Sequence, residues 1–158
     1  MEEFSARVRI NAPKERVWQV VSDVDGDAQY WDSLSRIRNI SRERDLVVRE
    51  VFIGGDNRCQ QRIILFPKEG IHLKWVSGPI RGIRDIILSA LENGTILEVQ
   101  TSYKLTGILA LFSKSAAKYL REEAESALQM IKAEAEGTSG APVLEKRTMW
   151  ADLIREKG

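Results

Sequence analysis

Three polar side chains, Glu50, Gln61 and Arg84, lie within runs that alternate apolar and polar residues, where one face of a strand turns toward a core. A four-residue loop at Gly54-Gly55-Asp56-Asn57 pairs Phe52 with Cys59 and Glu50 with Gln61. Glu50 and Gln61 then share the face that carries Ile63 and Leu65. The register of a later hairpin stays open. A two-residue Asn93-Gly94 turn sends Arg84, Ile86 and Leu88 inward, whereas a three-residue loop sends Asp85, Ile87 and Ser89 inward. One ionisable group enters either way. If Glu50 faces Arg84, the pair can anchor the polar end of a ligand or work as acid and stabiliser. The competing expectation places these charges at strand ends or on the outside, because unpaired buried charge is costly.

Other chemistries lack their parts. The single histidine, His72, alternates with Ile71 and Leu73 and should point to solvent, so it is a poor general base. The single cysteine, Cys59, reads as a small packed residue, with no Cys/His/Asn arrangement for a thiol enzyme and no Cys/His cluster for zinc. Neither GxGxxG nor GxxxxGK[ST] occurs. No metal and no cofactor is expected.

The apolar partners of a site follow from the same alternation. Leu73, Trp75, Val99, Thr101 and Tyr103 face inward from strands, and Phe112, Ala116 and Leu120 face them from a helix. Inward apolar residues are more often plain core than ligand contacts. Trp75 and Tyr103 are the better candidates, since a buried polar tip needs a partner and can offer itself to a ligand. Tyr30 and Trp31, on a short helix, are placed to gate the mouth or to pack that helix down.

These residues require a particular framework. A strand from Phe4 to Ile10 leads to Asn11 as N-cap, with Pro13 in the first turn of a helix whose apolar face is Val17, Trp18 and Val21. After a break at Val24-Asp25-Gly26-Asp27, a second short helix runs from Ala28 to Leu34. Between Arg36 and Leu105, turn signals recur at the spacing of an antiparallel meander of about six strands. From Ile108 to Ala135 the apolar period becomes helical, through Leu109, Phe112, Ala116, Leu120, Ala124, Ala127, Leu128 and Ile131. Residues 137–142 read as a linker. Residues 143–158 form a tail, amphipathic if helical, suited to docking on its own domain, on a second copy or partner, or on a membrane surface, with its mixed flanking charges favouring protein. A sheet with one apolar face and a helix with one apolar stripe must bury them against each other. The expected fold class is α+β: a curved antiparallel sheet of about seven strands around a long C-terminal helix, with two short helices after the first strand.

At 158 residues this is one domain's length, and 24 Lys+Arg against 23 Asp+Glu, with no basic block, argues against a nucleic-acid partner. No apolar run approaches the length of a membrane span. With an acidic start and a lone cysteine, the chain is expected to be cytoplasmic.

The order of these features resembles the START-like (SRPBCC) helix-grip superfamily, which includes the polyketide cyclase/dehydrase and lipid transport family. The resemblance covers about residues 4–136. It rests on the first strand, Asn11-Ala12-Pro13, Val17-Trp18, Val21-Ser22-Asp23, Tyr30-Trp31, and Gly78-Pro79-Ile80-Arg81-Gly82-Ile83-Arg84 ahead of two strands and the last helix. It implies a domain over 1–136 that binds or transports a hydrophobic small molecule, such as a lipid, isoprenoid or polyketide, in an internal cavity. The alternative it implies is a cyclase or dehydratase acting on a polyketide-like substrate. A third expectation is a partner-binding domain acting through its tail.

Overall fold

The computed structural model describes residues 1–137. Its chain order is β1 (Glu2–Ile10), α1 (Lys14–Val21), a 3₁₀ helix (Val24–Gln29), β2 (Leu34–Glu43), β3 (Leu46–Ile53), β4 (Asn57–Phe66), β5 (Gly70–Ser77), β6 (Ile80–Leu91), β7 (Gly94–Leu105), a second 3₁₀ helix (Gly107–Phe112) and α2 (Ser113–Glu136). All seven strands form one antiparallel sheet in the order β1-β7-β6-β5-β4-β3-β2. The expected helix-grip α+β architecture is therefore present. The tail expectation lies outside the described residues.

Every strand after β2 keeps a period-two burial pattern, so the sheet has one buried and one exposed face. The buried face takes Val47, Val51, Ile63, Leu73, Ile86, Leu88, Leu97 and Val99. Against it lies the apolar stripe of α2, where Ala116, Ala124 and Ala127 are fully enclosed. Their small side chains let α2 approach β1 and α1, its nearest neighbours.

The end of α2 is tied to the start of the chain. Arg16 donates from Nη2 to the Glu134 carbonyl at 3.0 Å, and Lys132 donates to the Arg9 carbonyl at 2.7 Å. Asn11 N–H donates to Glu136 Oε2 at 2.7 Å, and with Lys132 it holds the Glu136 carboxyl below its ordinary range. Asn11 is consequently not the N-cap of α1. Pro13 is, extended at φ −68 and ψ 157, with its carbonyl accepting from Arg16 and Val17.

The second short helix also differs from expectation. The stretch Val24-Asp25-Gly26-Asp27, read as a break, is itself helical, while Leu34 already opens β2. Two turns of 3₁₀ helix demand little helix propensity, so glycine and aspartate are tolerated there. At the other end, the 3₁₀ helix at Gly107–Phe112 takes the beginning of the expected long helix, and α2 proper starts at Ser113.

Candidate functional site

Strand register decides which polar groups enter the interior. The β3–β4 loop has three residues, Gly54, Gly55 and Asp56, because Ile53 pairs with Asn57. Gly54 and Gly55 both take positive φ, 56° and 94°, which glycine adopts without strain. Shortening the loop by one residue against the four-residue reading flips β3 relative to that expectation. Glu50 pairs with Gln60 and stands on the outer face, between Arg38 at 3.4 Å and Arg58 at 3.5 Å. Its place inside is taken by Arg49, paired with Gln61 and 0% exposed.

On β6 and β7 the turn is Glu92-Asn93, since Leu91 pairs with Gly94. This is a two-residue loop one step earlier than Asn93-Gly94. It preserves parity, so Arg84, Ile86 and Leu88 face inward and Asp85 outward. His72 accompanies Asp85 on the outer face, its Nδ1 2.6 Å from Asp85 Oδ1.

Two adjacent rungs of the sheet then carry the interior polar groups. One runs Arg49–Gln61–Trp75–Gly82–Tyr103 across β3 to β7, and the next runs Leu73–Arg84–Thr101. Gly82, at φ 143°, sits between the two aromatic positions. A Cβ there would collide with the Ser102 carbonyl oxygen, so no other residue fits that backbone.

The cluster has two parts with different chemistry. On the β3 side Arg49 is saturated. Its Nε donates to Gln61 Oε1 at 2.9 Å, Nη1 to the Val24 carbonyl at 2.8 Å, and Nη2 to Asp27 Oδ2 at 2.8 Å. This network fixes the first 3₁₀ helix to the sheet. Burial pushes the Asp27 carboxyl above its ordinary range, against the pull of Arg49.

On the β6 side Arg84 is 7% exposed and makes no salt bridge among the described residues. Its guanidinium carbon lies 3.7 Å from the centroid of the Trp31 ring and 4.9 Å from that of Trp75, so it is held by two aromatic faces. Burial lowers its pKa to about 10, opposed by the fields of Glu123 and Asp27. Among the described residues five enclosed atoms have no hydrogen-bond partner: Trp75 Nε1, Arg84 Nε, Thr101 Oγ1, Tyr103 Oη and Glu123 Oε1. Four stand on the neighbouring rungs of β5, β6 and β7, and the fifth comes from α2. Unpaired buried polar groups are rare in folded proteins, and five together call for a reason.

Glu123 is the carboxylate of this interior. It occupies the apolar stripe of α2 between Leu120 and Ala124. Its Oε2 accepts the Ser33 N–H, and burial pushes its pKa up despite Arg84 and Ser33. Tyr119 donates to Asp32 Oδ2 at 2.7 Å one turn earlier, so α2 grips segment 31–33 at two points. Trp31 is accordingly buried over Arg84 rather than standing at a rim, while Tyr30 remains half-buried.

Leu73, Val99, Ala116 and Leu120 are buried around these groups, and Phe112 is only half-buried because it lies in the second 3₁₀ helix. Gln61 is inside but committed to Arg49. Sequence reasoning missed Arg49, Asp27, Tyr119 and Glu123. For Glu123 a signal existed, an acid three residues after Leu120 and seven after Ala116, on the buried stripe.

The family model described as polyketide cyclase / dehydrase and lipid transport matches residues 1–136. The chain belongs to this family. No curated protein matches the sequence. Among solved structures, this family member is similar to the Thermus thermophilus protein TTHA0849, at 20% identity and TM-score 0.74, covering 88% of this chain and 100% of that one. It is similar also to the Zhui aromatase/cyclase of a Streptomyces species, at 16% identity and TM-score 0.70, covering 90% and 99%. Ara h 8.0201 shares the fold at 12% identity and TM-score 0.64, covering 87% and 99%. At these identities the structural matches establish the helix-grip fold of the polyketide cyclase/dehydrase and lipid transport family member and nothing finer.

Proposed function

We propose that this chain binds an apolar or amphipathic small molecule between its sheet and α2, with the apolar body against Leu73, Val99 and Leu120. The polar end meets Arg84, Thr101, Tyr103, Trp75 and Glu123. The observation that carries this reading is the set of five unpartnered atoms in the interior, beside an Arg49 network whose groups are satisfied. Leaving them unpaired costs stability, about 1 to 3 kcal/mol for each group. Four of the groups are donors, the Trp75 and Arg84 N–H groups and the Thr101 and Tyr103 hydroxyls, which can serve an oxygen-bearing ligand, and Glu123 adds an acceptor or a proton. Native mass spectrometry of gently purified protein tests the idea. A co-purifying apolar molecule is expected, with retention reduced several-fold in Tyr103→Phe and Thr101→Val; an empty protein, or retention indifferent to both changes, refutes it.

A second reading, a cyclase or dehydratase, draws support from Glu123. It is the acid of the interior, biased toward its protonated form, and shares a field with the Arg84 guanidinium. Protonating a carbonyl or leaving hydroxyl oxygen needs an acid of this kind. The role first assigned to Glu50 passes to Glu123, because Glu50 is on the outer face. Under this reading Glu123→Gln abolishes turnover of a poly-β-carbonyl substrate while leaving its affinity largely intact.

A further inference from the structure

The second 3₁₀ helix, Gly107–Phe112, carries the sequence Gly-Ile-Leu-Ala-Leu-Phe, and only Leu109 of its side chains is buried. Ile108 is 60% exposed and Leu111 is 79% exposed, beside half-buried Phe112. Isolated apolar residues on a surface need no explanation, but two on one short projection at the end of a strand form a patch. Nothing in the packing requires them. Leu109 alone seats the segment on the core.

The charges around this projection are mostly positive. Lys104 precedes it at the end of β7, and Lys114 and Lys118 follow it on the first two turns of α2, all exposed. No acidic residue occurs between Glu98 and Glu122, a stretch that holds Lys104, Lys114, Lys118 and Arg121. Glu2 of β1, paired with Tyr103, is the carboxylate nearest to Lys104 along the sheet. Its carboxylate lines the same hollow as Lys104, Ala110 and Ser113, one negative charge against the three lysines.

We propose that this face docks on an anionic lipid surface, with Ile108 and Leu111 inserted at the boundary between headgroups and acyl chains, and the lysines over the acidic headgroups. Apolar insertion and electrostatic attraction together are what shallow membrane binding requires. The position is also suited to transfer. A shallow pocket of about 160 Å³, lined by Tyr103, Leu105, Ala110 and Ser113 with Met1, Glu2 and Lys104, lies at the same end of β7. Tyr103, whose hydroxyl is unpartnered, thus borders both this surface and the interior. The docking itself does not depend on what the interior holds.

Sedimentation with vesicles of phosphatidylcholine alone, and of phosphatidylcholine mixed with phosphatidylglycerol, tests the proposal on the full chain. Binding is expected to the mixed vesicles and to weaken with salt. Leu111→Ser should weaken it about tenfold through lost apolar burial, and Lys114→Gln about fivefold. Both positions are exposed, so circular dichroism and the unfolding midpoint should not change. No binding to the mixed vesicles, or equal binding by Leu111→Ser, overturns the proposal. Self-association that Leu111→Ser abolishes, with no vesicle binding, overturns it in favour of an interface between copies. Vesicle binding by a protein that retains no small molecule removes the carrier reading and leaves this surface standing.

Discussion

Replacing Arg84 with methionine separates a residue kept for binding from one kept for stability. Its guanidinium pKa is brought down from its ordinary value to about 10, chiefly by burial. Each tenfold loss of proton affinity corresponds to about 1.4 kcal/mol, so the charged form gives up about 3 kcal/mol on folding. Because the folded value is the lower one, this group's relative stability is present above the ordinary arginine range and lost as pH falls through about 10, and at neutral pH the full penalty applies. Against it stand the two ring contacts, with Trp31 at 3.7 Å and Trp75 at 4.9 Å, worth together about 2 kcal/mol when desolvated. Methionine fills most of the same volume without a charge. Arg84→Met should therefore leave stability unchanged or raise it by about 1 kcal/mol. Urea unfolding followed by tryptophan fluorescence reads this as the midpoint at constant slope. Ligand retention should fall in the same variant. A loss above about 2 kcal/mol would mean that Arg84 holds the fold together, and the functional reasoning about it would fail.

Arg49 should behave in the opposite way. Arg49→Met leaves Gln61, the Val24 carbonyl and Asp27, itself 16% exposed, without their common donor, and should cost about 3 kcal/mol in the same unfolding assay. Adding Asp27→Asn should recover at least about 1 kcal/mol, because an uncompensated carboxylate is then removed. For Glu123 the folded pKa is raised, so its contribution is fully present below the ordinary value of 4.5 and lost as pH rises through the folded value. Glu123→Gln, which keeps an acceptor for Ser33 N–H, should flatten the decline of the unfolding midpoint with rising pH; an unchanged pH profile would count against a proton-holding interior acid.

The fold was legible because its signals are long. β7 alternates over its whole length, and the stripe of α2 repeats from Ala116 to Ile131. The site was less legible because it depends on parity. In β3 the apolar residues Val47, Val51 and Ile53 lie on one face, but Val48 and Phe52 lie on the other, so alternation alone does not choose between Arg49 and Glu50. The choice fell to the loop, and one residue more or less in Gly54-Gly55-Asp56 exchanges a saturated buried cation for a surface carboxylate. The choice between Arg84 and Asp85 was open in the same way, and the two-residue Glu92-Asn93 turn decides it for Arg84 by keeping the parity of the two-residue reading. Asp27 and Tyr119 had no such signal. Their partners, Arg49 and Asp32, are distant in sequence and become neighbours only when the sheet curves.

The sheet's last strand has a further consequence. β2 pairs with β3 alone, and its register slips twice, between Leu34 and Arg36 and between Asn39 and Ser41. Most of its residues are exposed, among them Arg36, Arg38, Arg42 and Glu43. An open edge of this length invites another strand, yet two bulges break its straightness and three arginines meet whatever approaches. A second copy would bring the same guanidiniums to the same line. Bulges and charge thus take the place of a covering strand on this edge, and they discourage pairing with its own image.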